Sequence, residues 1–264
     1  MIELDAVTKT FNPGTPGEKT VIRHLTLTVD PGDFITIIGS NGAGKTTLFN
    51  LISGAMFPSA GEIRIKGRRV TFEPEYRRAM HIGRIFQDPL AGTASNMTIE
   101  DNMMITAKKG FRWPKISMNR TVREKFKSLL KTLDMGLDTR MKANVSSLSG
   151  GQRQALTLLM TVLSGPDILL LDEHTAALDP SNAAMVMQQT RQVIQERSLT
   201  TLMVTHNMNH AIEFGNRLIM MDAGEIIVDV KAEEKQSLTR EALIQKFADI
   251  RKKAFENDEV LLST

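Results

Sequence analysis

Phe34-Ile-Thr-Ile-Ile-Gly39-Ser40-Asn41-Gly42-Ala43-Gly44-Lys45-Thr46-Thr47 joins a short, almost wholly apolar run to a glycine-rich stretch ending in Lys-Thr-Thr. Such a run suits a strand buried on both faces. In the stretch that follows, glycines let successive backbone N–H groups turn inward, and a helix opening at Lys45 adds the positive end of its dipole. Gly39 to Thr46 thus matches G-x-x-x-x-G-K-[ST] in the strand–loop–helix setting that makes the pattern a phosphate cradle. Lys45 supplies a point charge to the β- and γ-phosphates of a nucleotide, and the Thr46 hydroxyl is a ligand for Mg²⁺. The bare pattern arises by chance in about one chain in a hundred of this length. The apolar run before it makes chance rarer still.

Working outward, similar apolar runs recur at 168–171, 201–204 and 218–221, with helical periodicity at 45–52, 152–163 and 182–196. This alternation predicts an α/β protein with a mostly parallel sheet covered by helices. Strands are also predicted at 2–7, 21–29 and 62–66, with Pro13-Gly14 and Pro16-Gly17 marking a loop between the first two. Residues 88–147, rich in Met, Lys and Arg, read as an inserted helical lobe. After Asp229 the sequence predicts a polar hinge, then a helix over about 240–256. Thr239 would cap that helix, and Leu243, Ile244, Phe247 and Ile250 would form its apolar stripe.

Composition narrows the chemistry. The 264 residues include 33 Lys+Arg, 30 Asp+Glu and no cysteine, which excludes thiolate zinc sites, a cysteine nucleophile and a disulfide framework. The most apolar stretch, 155–171, is broken by Gly165, Pro166 and Asp167, short of the roughly 20 apolar residues a spanning helix needs. The first residues lack the basic and apolar regions of a signal peptide. A cytoplasmic location is expected, with any membrane role exercised through a partner. The net charge of +3 hides a split, because residues 108–131 hold nine Lys/Arg against Glu124 alone. That stretch carries +8 and the remainder −5, so no basic domain awaits nucleic acid. The local basicity suits either a solvated helix face or anionic lipid headgroups.

Three further features bear on chemistry. The run at 168–171 ends in Asp172-Glu173, where a parallel sheet opens onto its ligand crevice. Asp172 would serve Mg²⁺ through water, and Glu173 would take a proton from an attacking water. The run at 201–204 leads to His206, placed to meet a γ-phosphate, and Gln87 follows Ile85-Phe86 with an amide that reaches a metal or water. Ser149-Gly150-Gly151-Gln152 is a second anion-binding pattern at a helix start. One chain does not need two such sites, unless each of two copies completes the other's.

With Leu148-Ser-Gly-Gly-Gln152 just upstream of Ile168-Leu-Leu-Leu-Asp-Glu173, and Gly39–Thr47 far ahead of both, the chain resembles the ATP-binding cassette (ABC) ATPases over about residues 2–230. The resemblance implies a P-loop core with an N-terminal antiparallel β subdomain, a helical subdomain inserted at about 88–150, and a C-terminal extension over 231–264. It implies a head-to-tail dimer that sandwiches two ATP molecules with Mg²⁺. Gly39–Thr47 would bind phosphate, and Gln87 would form the Q-loop. Ser149, Gly150, Gly151 and Gln152 would act in trans, beside a D-loop of Ala177-Leu178-Asp179. Asp172 and Glu173 would be the Walker B pair, His206 the switch histidine, and Phe11 the aromatic residue against adenine.

The alternatives are a soluble ATPase of DNA or ribosome and an NTPase outside the family. The second glycine motif opposes the latter. The single motif set, with 61 residues between Gln87 and Ser149, opposes the former. The expected role is the energising subunit of a bacterial small-solute importer, amino acids included. Its partners would be a membrane permease and, indirectly, an extracytoplasmic binding protein. One departure stands out: His174 follows Glu173 where most relatives have proline. It is either a tolerated substitution or a source of extra pH dependence.

Overall fold

The computed structural model describes residues 1–88, 90–107 and 119–249. The first half of the basic stretch (108–118) and the predicted helix beyond 249 lie outside the described residues.

Strands β1 (Ile2–Phe11), β2 (Lys19–Val29), β4 (Ala60–Ile65) and β5 (Arg68–Arg69) form an antiparallel sheet in the order β2-β1-β4-β5. In β1 the inward Ile2 and Leu4 alternate with exposed Glu3 and Asp5, the pattern of a sheet with one wet face. The second sheet contains β3 (Phe34–Gly39), β6 (Ile82–Ile85), β7 (Ile168–Asp172), β8 (Thr200–Val204), β9 (Arg217–Asp222) and β10 (Glu225–Lys231). Its order is β10-β9-β3-β8-β7-β6, parallel throughout except for the hairpin of β9 and β10.

The period of two explains why β3, β7 and β8 need no polar residues on either face. Ile168, Leu170, Leu202 and Val204 face a core shared with the antiparallel sheet and α1 (Lys45–Ser53). Leu169, Leu171 and Met203 face the opposite side, under α5 (Gly150–Leu163) and α6 (Pro180–Arg197). Because the central strands are parallel, β3, β7 and β8 end together, delivering Gly39, Asp172 and Val204 to one edge of the sheet.

Short α2 (Glu75–Arg78) places Arg78 inside the fold. Its guanidinium donates to the Leu51 and Ile52 carbonyls at 2.7 and 2.9 Å and to the Glu73 and Thr71 carbonyls. The C-terminal end of α1 is thereby closed by a cation, which its dipole favours. Burial holds Arg78 below its ordinary pKa, at about 10.

The described part of 88–147 is mostly helical. It contains α3 (Ile99–Ala107), α4 (Arg120–Lys131) and two 3-10 turns at Leu137–Thr139 and Val145–Ser147, which share one core with α5 through Met103, Phe126, Leu130 and Leu156. Asn119 caps α4 by accepting from the Val122 N–H at 2.9 Å.

The predicted hinge after Asp229 is not there. Asp229 lies inside β10, opposite Ile219, and both its oxygens accept from the Arg217 guanidinium at 2.6–2.7 Å. α7 (Met208–Glu213) precedes β9, and after β10 the chain runs straight into α8 (Ala232–Gln236). Lys235 of α8 is buried; it donates to the Gly215 carbonyl at 3.1 Å and to that of Phe214. A last helix starts at residue 240 with the predicted Thr239 cap, whose hydroxyl accepts from the Ala242 N–H. Leu238 and Leu243 pack it onto Ile38, Leu218 and Met220 of the parallel sheet.

Candidate active site

The turn after β3 is built by close approach. A Cβ on Gly39 would lie 2.2 Å from the Met221 carbonyl oxygen. Gly44, the N-cap of α1, has φ +98°, and a Cβ there would meet Ile22 Cδ1 at 2.7 Å and the Val21 carbonyl at 3.0 Å. Only glycine fits both positions. Lys45 is buried, and its Nζ donates to the Gly39 and Ser40 carbonyls at 2.9 and 3.0 Å, folding the loop around the ammonium. Burial pulls the Lys45 pKa down, and the nearby Glu173 and Asp172 charges pull the other way. Ser40 Oγ donates to Asp222 Oδ1 at 2.7 Å, tying the loop to the end of β9.

A cleft of about 210 Å³ opens over this loop, lined by Asn41 to Thr47, Val21, Glu173 and His206. Glu173 sits one residue beyond β7 in the left-handed region, φ 48°, an uncommon conformation for a non-glycine residue. Its N–H donates to the Val204 carbonyl at 3.1 Å. His206, just past β8, brings Nε2 to 2.5 Å from Glu173 Oε1. Asp172 is buried at the end of β7, with Oδ2 accepting from Arg84 Nη2 at 3.1 Å. The glycine-rich loop with Lys45, a carboxylate and a histidine therefore converge from three parallel strands.

Other predicted residues lie elsewhere. Phe11 stands at the end of β1 with Lys9 Nζ 5.4 Å from its ring centroid, and Gln87 is exposed just past β6. Neither is among the residues lining the cleft. Ser149 caps α5 and Gln152 completes a capping box, so Ser149 Oγ and Gln152 Oε1 are engaged by their own helix start, while Gln152 Nε2 donates to the Met135 carbonyl at 3.3 Å. Gly150 and Gly151 pack against Leu178 and Asn182 respectively. Asp179 caps α6, accepting from the Asn182 N–H and Nδ2, and these bonds depress its pKa. The second glycine motif and the D-loop segment thus form one surface unit, separate from the cleft over Lys45.

His174 is buried, with Nε2 3.2 Å from Thr190 Oγ1 of α6. Burial, reinforced by His210, lowers its pKa to about 4. It is neutral around pH 7, which removes it as a source of pH dependence there.

Sequence reasoning missed Val21 in the cleft wall, Asp222 behind Ser40, and Arg84 against Asp172. Val21 and Asp222 carry no local motif. Arg84 does carry a signal, a cation inside the otherwise apolar run Ile82-Gly-Arg-Ile-Phe86. Among the described residues no cluster of three or more His, Asp or Glu forms a metal cage. That is compatible with Mg²⁺, which keeps water and phosphate ligands and takes only one or two from protein.

Comparisons with known proteins agree with this geometry. The ABC transporter family profile matches residues 22–176. The chain is 41% identical over 251 residues to a tyrosine transport ATP-binding protein of Clostridioides difficile (strain R20291), covering 94% of this chain and 98% of that one. It is 36% identical to methionine import ATP-binding protein MetN 2 of Enterococcus faecalis, covering 94% of this chain and 71% of the relative. Among solved structures, a dimeric bacterial ABC transporter cassette matches with a TM-score of 0.74 at 28% identity, over 88% of this chain and 98% of that one. A dimeric cassette in a post-hydrolysis state bound to ADP and Pi matches with a TM-score of 0.73 at 27% identity, with the same coverage. The chain belongs to the ABC transporter family and is one of its ATP-binding, ATP-hydrolysing subunits.

Proposed function

We propose that this chain energises a membrane importer of amino acids, aromatic ones of the tyrosine type first, by hydrolysing ATP as a head-to-tail homodimer. The observation that carries the hydrolytic half is the Glu173–His206 contact of 2.5 Å at the rim of the Lys45 cleft. The amino-acid half is supported by the near full-length likeness to the tyrosine transport subunit.

In this reading Gly39, Ser40, Asn41, Gly42, Ala43 and Gly44 present N–H donors, and Lys45 answers the β- and γ-phosphate charge. Thr47 supports the same loop, and Phe11 offers a π-face to the base. Glu173 accepts the proton of the attacking water, and His206 holds that carboxylate from the neighbouring strand end. The partner copy contributes Ser149, Gly150, Gly151 and Gln152 over the γ-phosphate, with Asp179 alongside. Thr46, Asp172 and Gln87 offer a hydroxyl, a carboxylate and an amide oxygen, a hard donor set suited to Mg²⁺. When bound, Mg²⁺ neutralises phosphate charge.

The cassette spans 1–230 with its helical subdomain at about 88–150, and 231–264 is an extension. A permease docks where apolar side chains stand exposed: Phe72 (66%) and Tyr76 (71%), with Phe57 edge-on to Phe72 at 6.1 Å. Apolar exposure clustered this way marks interaction surfaces. Among the described residues no helix is long and apolar enough to cross a membrane. The chain works at the cytoplasmic face through that permease, served outside by a substrate-binding protein, with no nucleic-acid partner.

Purification from gently solubilised cells tests this reading. A permease should accompany the chain, and reconstituted vesicles should take up tyrosine in an ATP-dependent way. Recovery with ribosomes or DNA alone overturns it.

A further inference from the structure

Arg84 is a cation in β6, the edge strand at the parallel end of the sheet. In the β6–β7 register it lies opposite Leu170, and Asp172 follows two residues on, on the same face. Its side chain is 9% exposed and that of Asp172 is 11%. Nη2 donates to Asp172 Oδ2 at 3.1 Å, while Nη1 donates to Asn50 Oδ1 of α1 at 2.7 Å. The guanidinium also lies over the Phe86 ring, 4.6 Å from its centroid, and Phe86 precedes Gln87. One planar fork therefore touches the carboxylate after the β7 run, the helix that starts at Lys45, and the segment leading into Gln87.

Stability alone is a poor reason for such an arrangement. A buried ion pair often contributes no more than apolar side chains of similar volume, and Arg84 Nε is left buried without a partner. What a rigid fork supplies is orientation, because its two donors lie in one plane at a fixed angle. Asn50 fixes one arm and Phe86 the plane, so the other arm fixes the Asp172 carboxylate through Oδ2.

We propose that Arg84 is a positioning residue: latched by Asn50, it turns the Asp172 carboxylate so that Oδ1 meets the hydration shell of the nucleotide's Mg²⁺. This rests on the reading of Asp172 as the carboxylate that serves the ion. Partners behind a metal-serving group typically set metal affinity by about 10- to 100-fold.

The experiment measures equilibrium binding of a fluorescent ATP analogue to the full chain as Mg²⁺ is varied, with no turnover needed. Arg84→Met should raise the Mg²⁺ concentration at half-maximal binding about tenfold. Analogue binding without Mg²⁺ should stay at the wild-type level. Asn50→Ala should shift the midpoint the same way by less, since the fork remains on Asp172 but unlatched. Thermal unfolding of each variant checks folding, and if Arg84→Met does not fold, Asn50→Ala decides. Unchanged midpoints overturn the proposal, as does a lower midpoint, which would mean that Arg84 competes with the ion. Asp172→Asn separates the two levels: a shift there without one in the other variants defeats Arg84 alone. No shift in Asp172→Asn defeats the reading of Asp172 and the proposal together.

Discussion

The molecule contains two glycine-rich helix starts, and they differ in how complete they are. At Gly39–Thr47 the loop is closed on its own lysine, walled by Val21 and faced by Glu173 and His206 from neighbouring strand ends. At Ser149–Gln152 the helix start is satisfied by its own capping box, and its glycines lean on Leu178 and Asn182. The first is assembled by the parallel sheet, which gathers strand ends wherever they lie in sequence. The second stands on a helical lobe and presents the exposed Ser149 and Gly150. One gathers Lys45, Glu173 and His206 around a cleft; the other is closed by its own cap.

The largest expected effect breaks the chemistry on the first side only. Glu173→Gln should keep ATP binding and lower turnover at least about 100-fold, the range of a lost general base, leaving a nucleotide-trapped dimer on size-exclusion chromatography. Wild-type turnover would remove Glu173 from that role. Next comes a test of the division between the two starts. Ser149→Arg alone should bind ATP and not hydrolyse it, since the cleft over Lys45 is untouched. Mixed with Glu173→Gln, it forms heterodimers holding one intact Glu173 facing one intact Ser149. Random pairing through a two-fold interface then restores up to about a quarter of wild-type turnover. No recovery in the mixture would mean that Ser149 does not act across the dimer.

Legibility followed the same division. The strand runs at 34–38, 168–171 and 201–204, the loop and the carboxylate pair were readable, because burial on both faces and phosphate binding each demand residue types at fixed spacing. The Ser149 motif was readable as a glycine-rich helix start, but its satisfaction by Gln152 Oε1 is a matter of rotamers. The hinge expected after Asp229 failed on tertiary partners: Asp229 is held in β10 by Arg217, twelve residues away, and Lys235 is buried on the Phe214 and Gly215 carbonyls. Arg78 was invisible for the same reason, since its carbonyl partners come from 51, 52, 70, 71 and 73. Buried polar groups answer to tertiary partners, which no local period encodes.

A glycine in each start sharpens the contrast further. Gly44→Ala forces a side chain into φ +98° and against the Val21 carbonyl, costing about 1–3 kcal/mol of backbone strain; ATP affinity should fall in the isolated subunit. Gly151→Ala presses instead on the Asn182 side chain, whose atoms lie 2.8–2.9 Å from the new Cβ. Asn182 Cβ is among them and no rotamer change moves it, so α5 and α6 must part locally, away from the cleft over Lys45; isolated-subunit ATP affinity should hold while dimer turnover drops. Isothermal titration beside a turnover assay reads both, and equal loss of affinity in the two variants would erase the distinction.

The smallest effect concerns His174, next to Glu173 in sequence yet facing away from solvent. Its ring is buried against Thr190 and near the charge of His210, with the pKa lowered to about 4 from 6.5. Between those values the unfolded chain binds a proton that the folded chain refuses. The neutral ring's contribution is therefore whole above pH 6.5 and is lost as pH falls toward 4, by up to about 3 kcal/mol. His174→Pro should flatten that acid limb in denaturant melts between pH 4 and 7. Its pH–rate profile above 6.5 should superimpose on the wild type, because the ring never charges there. A displaced profile would mean that His174 reaches Glu173 electrostatically after all, and that the half-site over Lys45 is tuned from behind.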